Sequence, residues 1–439
     1  MNSGSQPAAR SPQAGTAATL IIQNAAQLLC CEPGSAPRIG PRMRDLDIVT
    51  DGAVAVANGC ILDVGTTDFV LERTMLASDC QVIDARGRVV SPGLVDPHTH
   101  PIYAGNRAFE FEARTLGASY EEIAASGGGI RATVRATRQA DFDGLLNRAR
   151  PRLDRMLAFG TTTVEAKSGY GLSTASELNQ LRVIAELDRR HCIELVPTFL
   201  GAHEVPDEYR HRRGAYINLL VHEMLPRVKE ENLAVFSDVF CDRGVYSNAE
   251  ARLIQDAARR SGLKLKFHAD ELASTGGAEL AADLGAVSAD HLIRISDGGI
   301  AALARSATMA VLLPGTSFSL GALHFAPGRK LVDSGVAVAL ATDCNAGSCN
   351  TESLQIVAAL AAQHYRFTAA ECWTALTRNA AWALGRGDRL GALAPGYQAD
   401  IVIWDMEDLR ELPFHFGVNL AHTVIKNGRV AVREGQIQK

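Results

Sequence analysis

The 439-residue sequence lacks the features that identify several large classes of protein. It has no run of about 18 or more apolar residues, so no segment is predicted to cross a membrane as a helix. Lysine and arginine are not concentrated beside aromatic residues, and the net charge is −5. Nucleic acid and anionic membranes are therefore not expected as partners, and a small-molecule ligand is favoured.

The sequence also lacks a cysteine pattern that would indicate disulfides or a zinc ribbon. The nine cysteines are scattered, odd in number and form no CxxC motif, which favours reduced thiols. The polar N-terminal residues contain no apolar core of a secretory signal, and residues 1–17 are expected to form a disordered tail. We therefore expect a cytoplasmic protein.

Both ends of the chain are predicted to be rich in β-strands. An Asn-Gly pair at 58–59 separates two apolar runs, and another pair at 427–428 does the same near the C-terminus. Asn-Gly favours the tight turn of a β-hairpin, because both residues adopt positive φ readily. We expect residues 18–90 and 388–439 to form one composite β-sandwich.

Residues 91–387 alternate apolar strand-like runs with helical segments such as 174–190, 248–261, 274–284, 322–334 and 351–363. Eight strand–helix units in succession are typical of a (β/α)8 TIM barrel, so the chain is predicted to be an α/β protein. The eight runs end at Asp96, Glu165, Phe199, Cys241, Phe267, Ala289, Leu313 and Thr342.

The first of these runs ends in an HxH motif formed by His98 and His100. Side chains at positions i and i+2 of a strand point the same way, so both imidazoles can reach one metal ion. An isolated HxH motif also arises by chance. Its place at the end of a barrel strand, where barrel active sites lie, favours the metal interpretation.

Metal-binding or acid–base residue types follow three other predicted strands. His268 follows the fifth strand, His291 the sixth and Asp343 the eighth. One such residue could simply be a satisfied polar group at the end of a strand. Four strand ends of one barrel with the same property indicate a shared site at the mouth of the barrel.

The order of these residues resembles the amidohydrolase superfamily and, within it, the imidazolonepropionase family. The resemblance covers nearly all of the predicted barrel. It rests on DPHTHPIYAGNRAFEFEARTLGASYEEIAASGGGIRATVRATR at 96–138, EAKSGYGL at 165–172, TFLGAHEVP at 198–206, FHADEL at 267–272, SADHL at 288–292 and ATDCNAGS at 341–348. One departure is Ala346, where proline is expected in the family.

The resemblance implies a hydrolase that opens the ring of 4-imidazolone-5-propanoate to N-formimidoyl-L-glutamate with one Zn or Fe ion per chain, in a homodimer. The implied metal ligands are His98, His100, His268 and Asp343. The implied catalytic residues are Glu271, His291 and Asp343. The implied substrate-binding residues are Arg107, Tyr170, His203, Glu271, Asn345, Gly347 and Ser348.

Elementary chemistry is consistent with these implied roles. A metal ion lowers the pKa of water and polarises a carbonyl group, and a carboxylate beside it can accept the water proton. We expect Asp270 and Asp290, which neighbour two of the histidines, to orient ligand rings. The family's binuclear relatives bridge two metals through a carboxylated lysine on the fourth strand, which here has no lysine. We expect Lys167 to form a structural ion pair instead.

Four alternatives remain open at this point. Arg107 could be a solvated surface residue, and Tyr170 could be a turn aromatic instead of a hydroxyl donor. The chain could be another mononuclear amidohydrolase, such as a nucleobase deaminase. It could also be a barrel that has lost its metal. A carboxylate-binding arginine would argue against a nucleobase, which carries no carboxylate.

Overall fold

The computed structural model describes residues 15–118, 122 and 127–438. Most of the predicted tail 1–17 lies outside this range. Within the described part of the chain, no helix is both long and apolar enough to cross a membrane. Contacts divide the chain into two compact units, one of Met1–Val95, Met156–Thr163 and Ser353–Lys439, the other of Asp96–Arg155 and Val164–Glu352. The domain boundaries proposed from the sequence stay a prediction.

The strands are numbered in chain order. They are β1 Ala18–Ala25, β2 Gln27–Leu29, β3 Ile48–Val49, β4 Gly52–Ala57, β5 Cys60–Thr66, β6 Leu76–Asp84, β7 Val89–Pro92, β8 Leu94–Asp96, β9 Thr161–Lys167, β10 Glu194–Ala202, β11 Phe236–Cys241, β12 Lys264–Ala269, β13 Ser288–His291, β14 Met309–Leu312, β15 Val338–Leu340, β16 Ile401–Trp404, β17 Ala421–Lys426, β18 Arg429–Arg433 and β19 Gln436–Ile437.

The described α-helices are numbered in the same way. They are α1 Thr67–Arg73, α2 Ala108–Thr115, α3 Ile130–Gln139, α4 Phe142–Ala158, α5 Thr174–Arg190, α6 Arg213–Leu219, α7 Leu225–Glu230, α8 Asn248–Arg260, α9 Gly277–Asp283, α10 Asp297–Ala304, α11 Pro314–Ser319, α12 Gly328–Asp333, α13 Leu354–Leu360, α14 Ala369–Leu376, α15 Arg378–Ala383 and α16 Glu411–Phe414. Short 3₁₀ turns occupy Gly40–Arg44 and Asp207–Tyr209, and π-helical turns occupy Leu220–Met224 and Ala361–Tyr365.

Both predicted Asn-Gly hairpins are confirmed. Strands β4 and β5 pair antiparallel around the turn at 58–59, and β17 and β18 do so around 427–428. The residues of both turns have positive φ, between 50° and 77°, as this turn requires.

Two sheets of the first unit form the expected β-sandwich from both ends of the chain. One has the strand order β5-β4-β1-β6, and the other has β19-β18-β17-β16-β7-β2-β3. Ile22 and Val54 of the smaller sheet share a buried cluster with Val90, Ile401 and Ile425 of the larger one. Burial of these aliphatic side chains between the sheets stabilises the sandwich.

The remaining strands form the predicted parallel barrel, in the order β15-β14-β13-β12-β11-β10-β9-β8. Thr99 and Cys344, which follow the first and last barrel strands, form a parallel bridge that brings these strands together. The Asp96 carboxylate strengthens this junction, because it accepts hydrogen bonds from the backbone N–H of Thr342 at 3.1 Å and from its hydroxyl at 2.5 Å. The carboxyl ends of all eight strands therefore surround one mouth.

Several element ends differ from the sequence prediction. Strands β9 and β10 end at Lys167 and Ala202, beyond the predicted ends at Glu165 and Phe199. The extension of β9 went unpredicted because a lysine is rarely buried, and here its ammonium is buried in ion pairs. The helix expected at 322–334 begins only at Gly328, directly after Pro327, since proline disfavours helical geometry in the residue before it.

Candidate metal centre and active site

Several residues at the mouth of the barrel have strained backbones. Asp270, His291 and Asp343, which end or follow β12, β13 and β15, have φ of 48°, 74° and 55°. Positive φ costs a residue with a Cβ about 1–3 kcal/mol, and such strain is concentrated at functional sites. The barrel therefore stores strain at three of the strand ends named from the sequence.

Three candidate ligand atoms lie close together at this mouth. The Nε2 atoms of His98 and His100 are 3.3 Å apart, and Asp343 Oδ1 is 3.6 Å from the first and 3.5 Å from the second. Ligands bound tetrahedrally at about 2.0–2.2 Å are separated by about 3.3–3.5 Å. His268 places a ring nitrogen within 4.8 Å of those of His98 and His100. The buried cluster therefore fits a metal ion.

Two carboxylates determine which ring nitrogens face the cluster. His98 Nδ1 lies 2.6 Å from Asp290 Oδ2, and His268 Nδ1 lies 2.9 Å from Asp238 Oδ2. A carboxylate can only accept a hydrogen bond, so Nδ1 of His98 carries the proton and its Nε2 keeps its lone pair, while His268 and Asp238 are in ion-pair contact without hydrogen-bond geometry. The same contacts fix the orientation of both rings.

The expected ring-orienting role is confirmed for Asp290 and wrong for Asp270. The carboxylate of Asp270 accepts the backbone N–H groups of residues 275–278, at the start of α9. It caps the helix and contacts no ligand ring. Its place next to His268 in sequence was misleading, because the backbone at Asp270 turns with positive φ.

Beneath the ligands lies a network of fully buried charges. Lys167 Nζ is 2.8 Å from Glu165 Oε2 and 2.7 Å from Asp238 Oδ2, which confirms the expected ion pair. Lys266 Nζ lies 3.1 Å from Glu165 Oε1. Burial alone would lower the pKa of Lys167, but Asp238 and Glu165 raise it above its ordinary value. Its ammonium therefore stays charged and balances the carboxylates.

This network also bears on the number of ions. His98, Glu165 and Asp290 form a second group with ligand-like spacing. Lys167 Nζ already lies 2.8 Å from Glu165 and 4.0 Å from Asp290. The ammonium supplies the positive charge there, so a second cation would meet repulsion.

The two carboxylate oxygens of the candidate ligand Asp343 have different contacts, since Oδ1 lies near the ring nitrogens of His98 and His100 and Oδ2 accepts a hydrogen bond. Its Oδ2 accepts a hydrogen bond from the Thr316 hydroxyl at 2.6 Å. Burial raises the pKa of Asp343 to about 6, against the lowering effect of that hydrogen bond. A nearby cation would favour the charged form.

Glu271 and His291 lie together beside the ligand strands. Glu271 Oε1 is 3.6 Å from His291 Nδ1. Among the described residues, neither ring nitrogen of the buried His291 has a hydrogen-bond partner. Burial, and then the charge of Asp343, raise the pKa of Glu271 to about 8. Asp242 holds the loop by accepting the backbone N–H of Glu271 at 2.7 Å. Both side chains are thus free to act on a ligand.

Tyr170 lies in a firmly held loop next to the ligand His100, with 5.9 Å between the ring centroids. The buried carboxylate of Glu177 accepts the backbone N–H groups of residues 169, 171 and 172. Gln180 accepts the backbone N–H of Tyr170 at 3.2 Å. The tyrosine ring is therefore positioned by its backbone, which leaves its hydroxyl for a ligand.

His203 packs directly on the same ligand. Its ring stacks on His100 with centroids 5.2 Å apart, and its Nδ1 donates to the carbonyl of Gly169 at 3.0 Å. Burial lowers the pKa of His203 to about 3, so the ring is neutral. His203 thus offers Nε2 as a neutral hydrogen-bond acceptor.

Arg107 is not a solvated surface residue. Its side chain is 16% exposed, and its Nε and Nη2 donate to Glu110 at 2.8 Å and 2.6 Å. The interpretation as an ordinary surface arginine is therefore wrong. Arg107 is the N-cap residue of α2, and its guanidinium is held in place by Glu110.

Residues 345–348 form a turn that follows Asp343 directly. Asn345 Oδ1 accepts the backbone N–H groups of Gly347 and Ser348, both at 2.8 Å. Asn345 Nδ2 donates to the Asp343 carbonyl at 2.7 Å and to the Ser348 hydroxyl at 2.8 Å. The Asn345 side chain is thus used within the turn. Ala346, in place of the expected proline, is buried against Tyr170.

Sequence reasoning missed the residues that support this site. The signal that could reveal some of them is a charged side chain within a buried strand, where apolar residues are expected. A search for such residues finds Asp238 and Lys266 in the strands, but not the more distant supports. The missed residues are Glu110, Glu177, Gln180, Asp238, Asp242, Lys266 and Thr316.

We predict that Asp290→Asn lowers the affinity for Zn²⁺ by about 10–100-fold, because an amide holds the His98 ring and its tautomer less firmly. Competition with a chromophoric chelator measures the affinity. Asp270→Asn is the matched control, since this equally buried aspartate also neighbours a ligand histidine but contacts no ligand ring. Equal affinity losses in both variants would contradict the assignment.

Comparison with known proteins agrees with this geometry. The model of the amidohydrolase family matches residues 89–431. An imidazolonepropionase of Geobacillus kaustophilus is 47% identical over 95% of this chain and 99% of its own length. An imidazolonepropionase of Symbiobacterium thermophilum is 48% identical over 96% of this chain and 99% of its own length.

Solved structures share the fold at low sequence identity. A zinc-bound adenosine deaminase of Xanthomonas campestris has a TM-score of 0.70 and 19% identity, covering 96% of this chain and 94% of that chain. A 5-methylcytosine deaminase of Klebsiella pneumoniae has a TM-score of 0.68 and 17% identity, covering 95% and 98%. The family match and the near full-length relatives show that this chain belongs to the amidohydrolase family, among its imidazolonepropionases.

Proposed function

We propose that this protein hydrolyses the ring C–N bond of 4-imidazolone-5-propanoate, consuming one water and giving N-formimidoyl-L-glutamate. The observation that carries the proposal is that one unit contains both a His/Asp cluster and a half-buried arginine in the segment that follows the first barrel strand. The cluster suits hydrolysis of an amide bond, and the arginine suits a substrate with a carboxylate. Relatives that match almost the whole chain are imidazolonepropionases.

The residues that would hold the ion are His98, His100, His268 and Asp343. Three imidazoles and one carboxylate suit zinc and iron equally well, so the proposal is one ion of either metal per chain. When bound, such an ion activates water as a nucleophile and polarises a carbonyl group. The buried ammonium of Lys167 supports a single ion.

The protein's own residues would move the protons. Asp343, with Oδ1 facing the ligand cluster, would accept the proton of the attacking water. Glu271 would deliver a proton to the departing ring nitrogen. His291, whose ring nitrogens lack partners among the described residues, would donate a hydrogen bond to the developing oxyanion.

Substrate selection would depend on the residues around the cluster. Arg107 would bind the propionate carboxylate, with the hydroxyl of Tyr170 as a second donor. His203 would contact the ring beside His100. The opened product would contact the turn that contains Asn345, Gly347 and Ser348.

We also propose a cytoplasmic location and a small-molecule substrate as the main partner. None of the nine cysteines, all within the described part of the chain, forms a disulfide bond, which suits a reducing compartment. The homodimer implied by the family resemblance stays a prediction.

The first expected result is ring opening by the purified protein containing one ion per chain. Loss of the ultraviolet absorbance of imidazolonepropionate follows the reaction, and elemental analysis counts the metal. The His98→Ala variant should lose both the ring-opening activity and the metal ion, because it removes a proposed ligand at the centre of the cluster. His211→Ala, at an exposed histidine, should lose neither. Two ions per chain, or metal retained in a folded His98→Ala protein, would refute the proposed site.

Glu271→Gln should keep the metal and lose turnover by about 10²–10⁴-fold, because an amide cannot transfer the proton that the carboxyl group does. Stopped-flow or steady-state kinetics gives kcat, and elemental analysis gives the metal content. A variant that loses its ion would place Glu271 among the metal ligands instead.

Arg107→Ala should lower kcat/KM for imidazolonepropionate by at least ~10-fold, since hydrogen bonds to charged groups contribute about 1.5–3 kcal/mol each. Arg107→Lys should restore the activity only in part, because an ammonium cannot form two parallel hydrogen bonds. The metal content should stay unchanged.

The matched control is Arg189→Ala, since Arg189 forms the same two-bonded pair with Glu186 on the exposed face of α5. A substrate analogue without the carboxylate should be a poor substrate already for the wild type. The proposal is contradicted if the ratio of kcat/KM for substrate to kcat/KM for analogue is the same in the wild type and in Arg107→Ala. The carboxylate would then be bound elsewhere, and a nucleobase-like substrate would gain support.

A further inference from the structure

Arg107 is held by a carboxylate that has a second partner. Glu110, only 1% exposed, accepts Nε and Nη2 of Arg107 through its two oxygens. The same Oε1 also accepts the backbone N–H of Gly129, at the start of α3, at 2.7 Å. Glu110 therefore ties the guanidinium of Arg107 to two helices at once.

The guanidinium also lies against Gly347. A Cβ placed on Gly347 would lie 1.9 Å from Arg107 Nη1 and 2.3 Å from its Cζ. No larger residue fits unless Arg107 moves, and the two bonds to Glu110 oppose that movement. Gly347 and Glu110 thus both restrict the position of the Arg107 guanidinium.

This arrangement leaves one edge of the guanidinium for a ligand. Nε and one N–H of Nη2 are used by Glu110, and among the described residues no hydrogen-bond partner is found for the edge formed by Nη1 and the second N–H of Nη2. Nη1 is also the atom next to the turn that follows Asp343. An edge with two parallel donors matches a carboxylate.

We propose that Glu110 is a positioning residue which, with Gly347 as a second constraint on the guanidinium, orients the free edge of Arg107 and so sets the selectivity for substrates with a carboxylate. The proposal rests on the function proposed above. Glu110 touches no reacting atom. It acts on the strength with which the carboxylate end of a substrate is bound.

Two physical effects of Glu110 on an anionic ligand have opposite signs. Its negative charge weakens the attraction between Arg107 and the ligand, and its two hydrogen bonds hold the free edge in the orientation that binds. The ligand needs both free donors in one plane, so orientation should dominate. Glu110→Gln should then weaken carboxylate binding, although it removes a negative charge.

The test uses binding, which does not depend on turnover. Calorimetry on the metal-loaded protein compares 3-(imidazol-4-yl)propanoate with 4-propylimidazole, which lacks the carboxylate. Glu110→Gln and Gly347→Ala should each raise the Kd of the propanoate by about 10-fold and leave that of 4-propylimidazole unchanged. In turnover, both should raise KM for imidazolonepropionate more than they lower kcat.

Matched controls are Glu186→Gln, which breaks an equivalent Arg–Glu pair on α5, and Gly214→Ala, where nothing lies within 4 Å of an added Cβ. Neither should change either Kd. The proposal is overturned if Glu110→Gln binds the propanoate as well as or better than wild type, or weakens both ligands equally. If carboxylate selectivity depends on Glu110 but no ring opening occurs, the proposed function fails and this inference stands.

Discussion

The candidate site depends on the ion pairs of Lys167 with Glu165 and Asp238 in the interior of the barrel. An unpaired buried charge is strongly unfavourable, and breaking such a pair costs about 3–5 kcal/mol. Because the lysine balances these carboxylates, Asp238 can remain ionised and orient His268. Asp290, 4.0 Å from the same ammonium, orients His98. The orientation of the candidate ligand rings at the mouth of the barrel is therefore determined by the buried ion pairs beneath them.

The same arrangement separates the chemistry from substrate selection. The buried ion pairs and His268 belong to strands, where side-chain directions are fixed by the pleat, and His98, His100 and Asp343 lie just after strands. Arg107, Tyr170 and the turn 345–348 belong to the segments that follow strands, and each is held by a buried polar side chain such as Glu110 or Glu177. Substrate specificity can thus change through these segments while the cluster is kept.

The sequence predicted the barrel, the sandwich and the cluster of histidines and Asp343, because strand periodicity, Asn-Gly turns and strand-end residues are local signals. It did not predict that Asp238 orients a ring or that Asp270 does not, although both are aspartates near a ligand in sequence or space. Their difference depends on strand register, which pairs Asp238 with Lys266, and on the backbone turn at Asp270. The role of Glu110 was not predicted for a similar reason, since its hydrogen-bond partner Gly129 is 19 residues away in the sequence.

The most direct test of this account is the position of the ion, measured by anomalous X-ray diffraction from crystals of the metal-loaded protein. The account predicts one site, bound by Nε2 of His98, His100 and His268 and by Asp343 at about 2.0–2.2 Å. A site bound through Nδ1 of His98 or His268, or an ion among Glu165, Asp290 and His98 where the Lys167 ammonium lies, would contradict it.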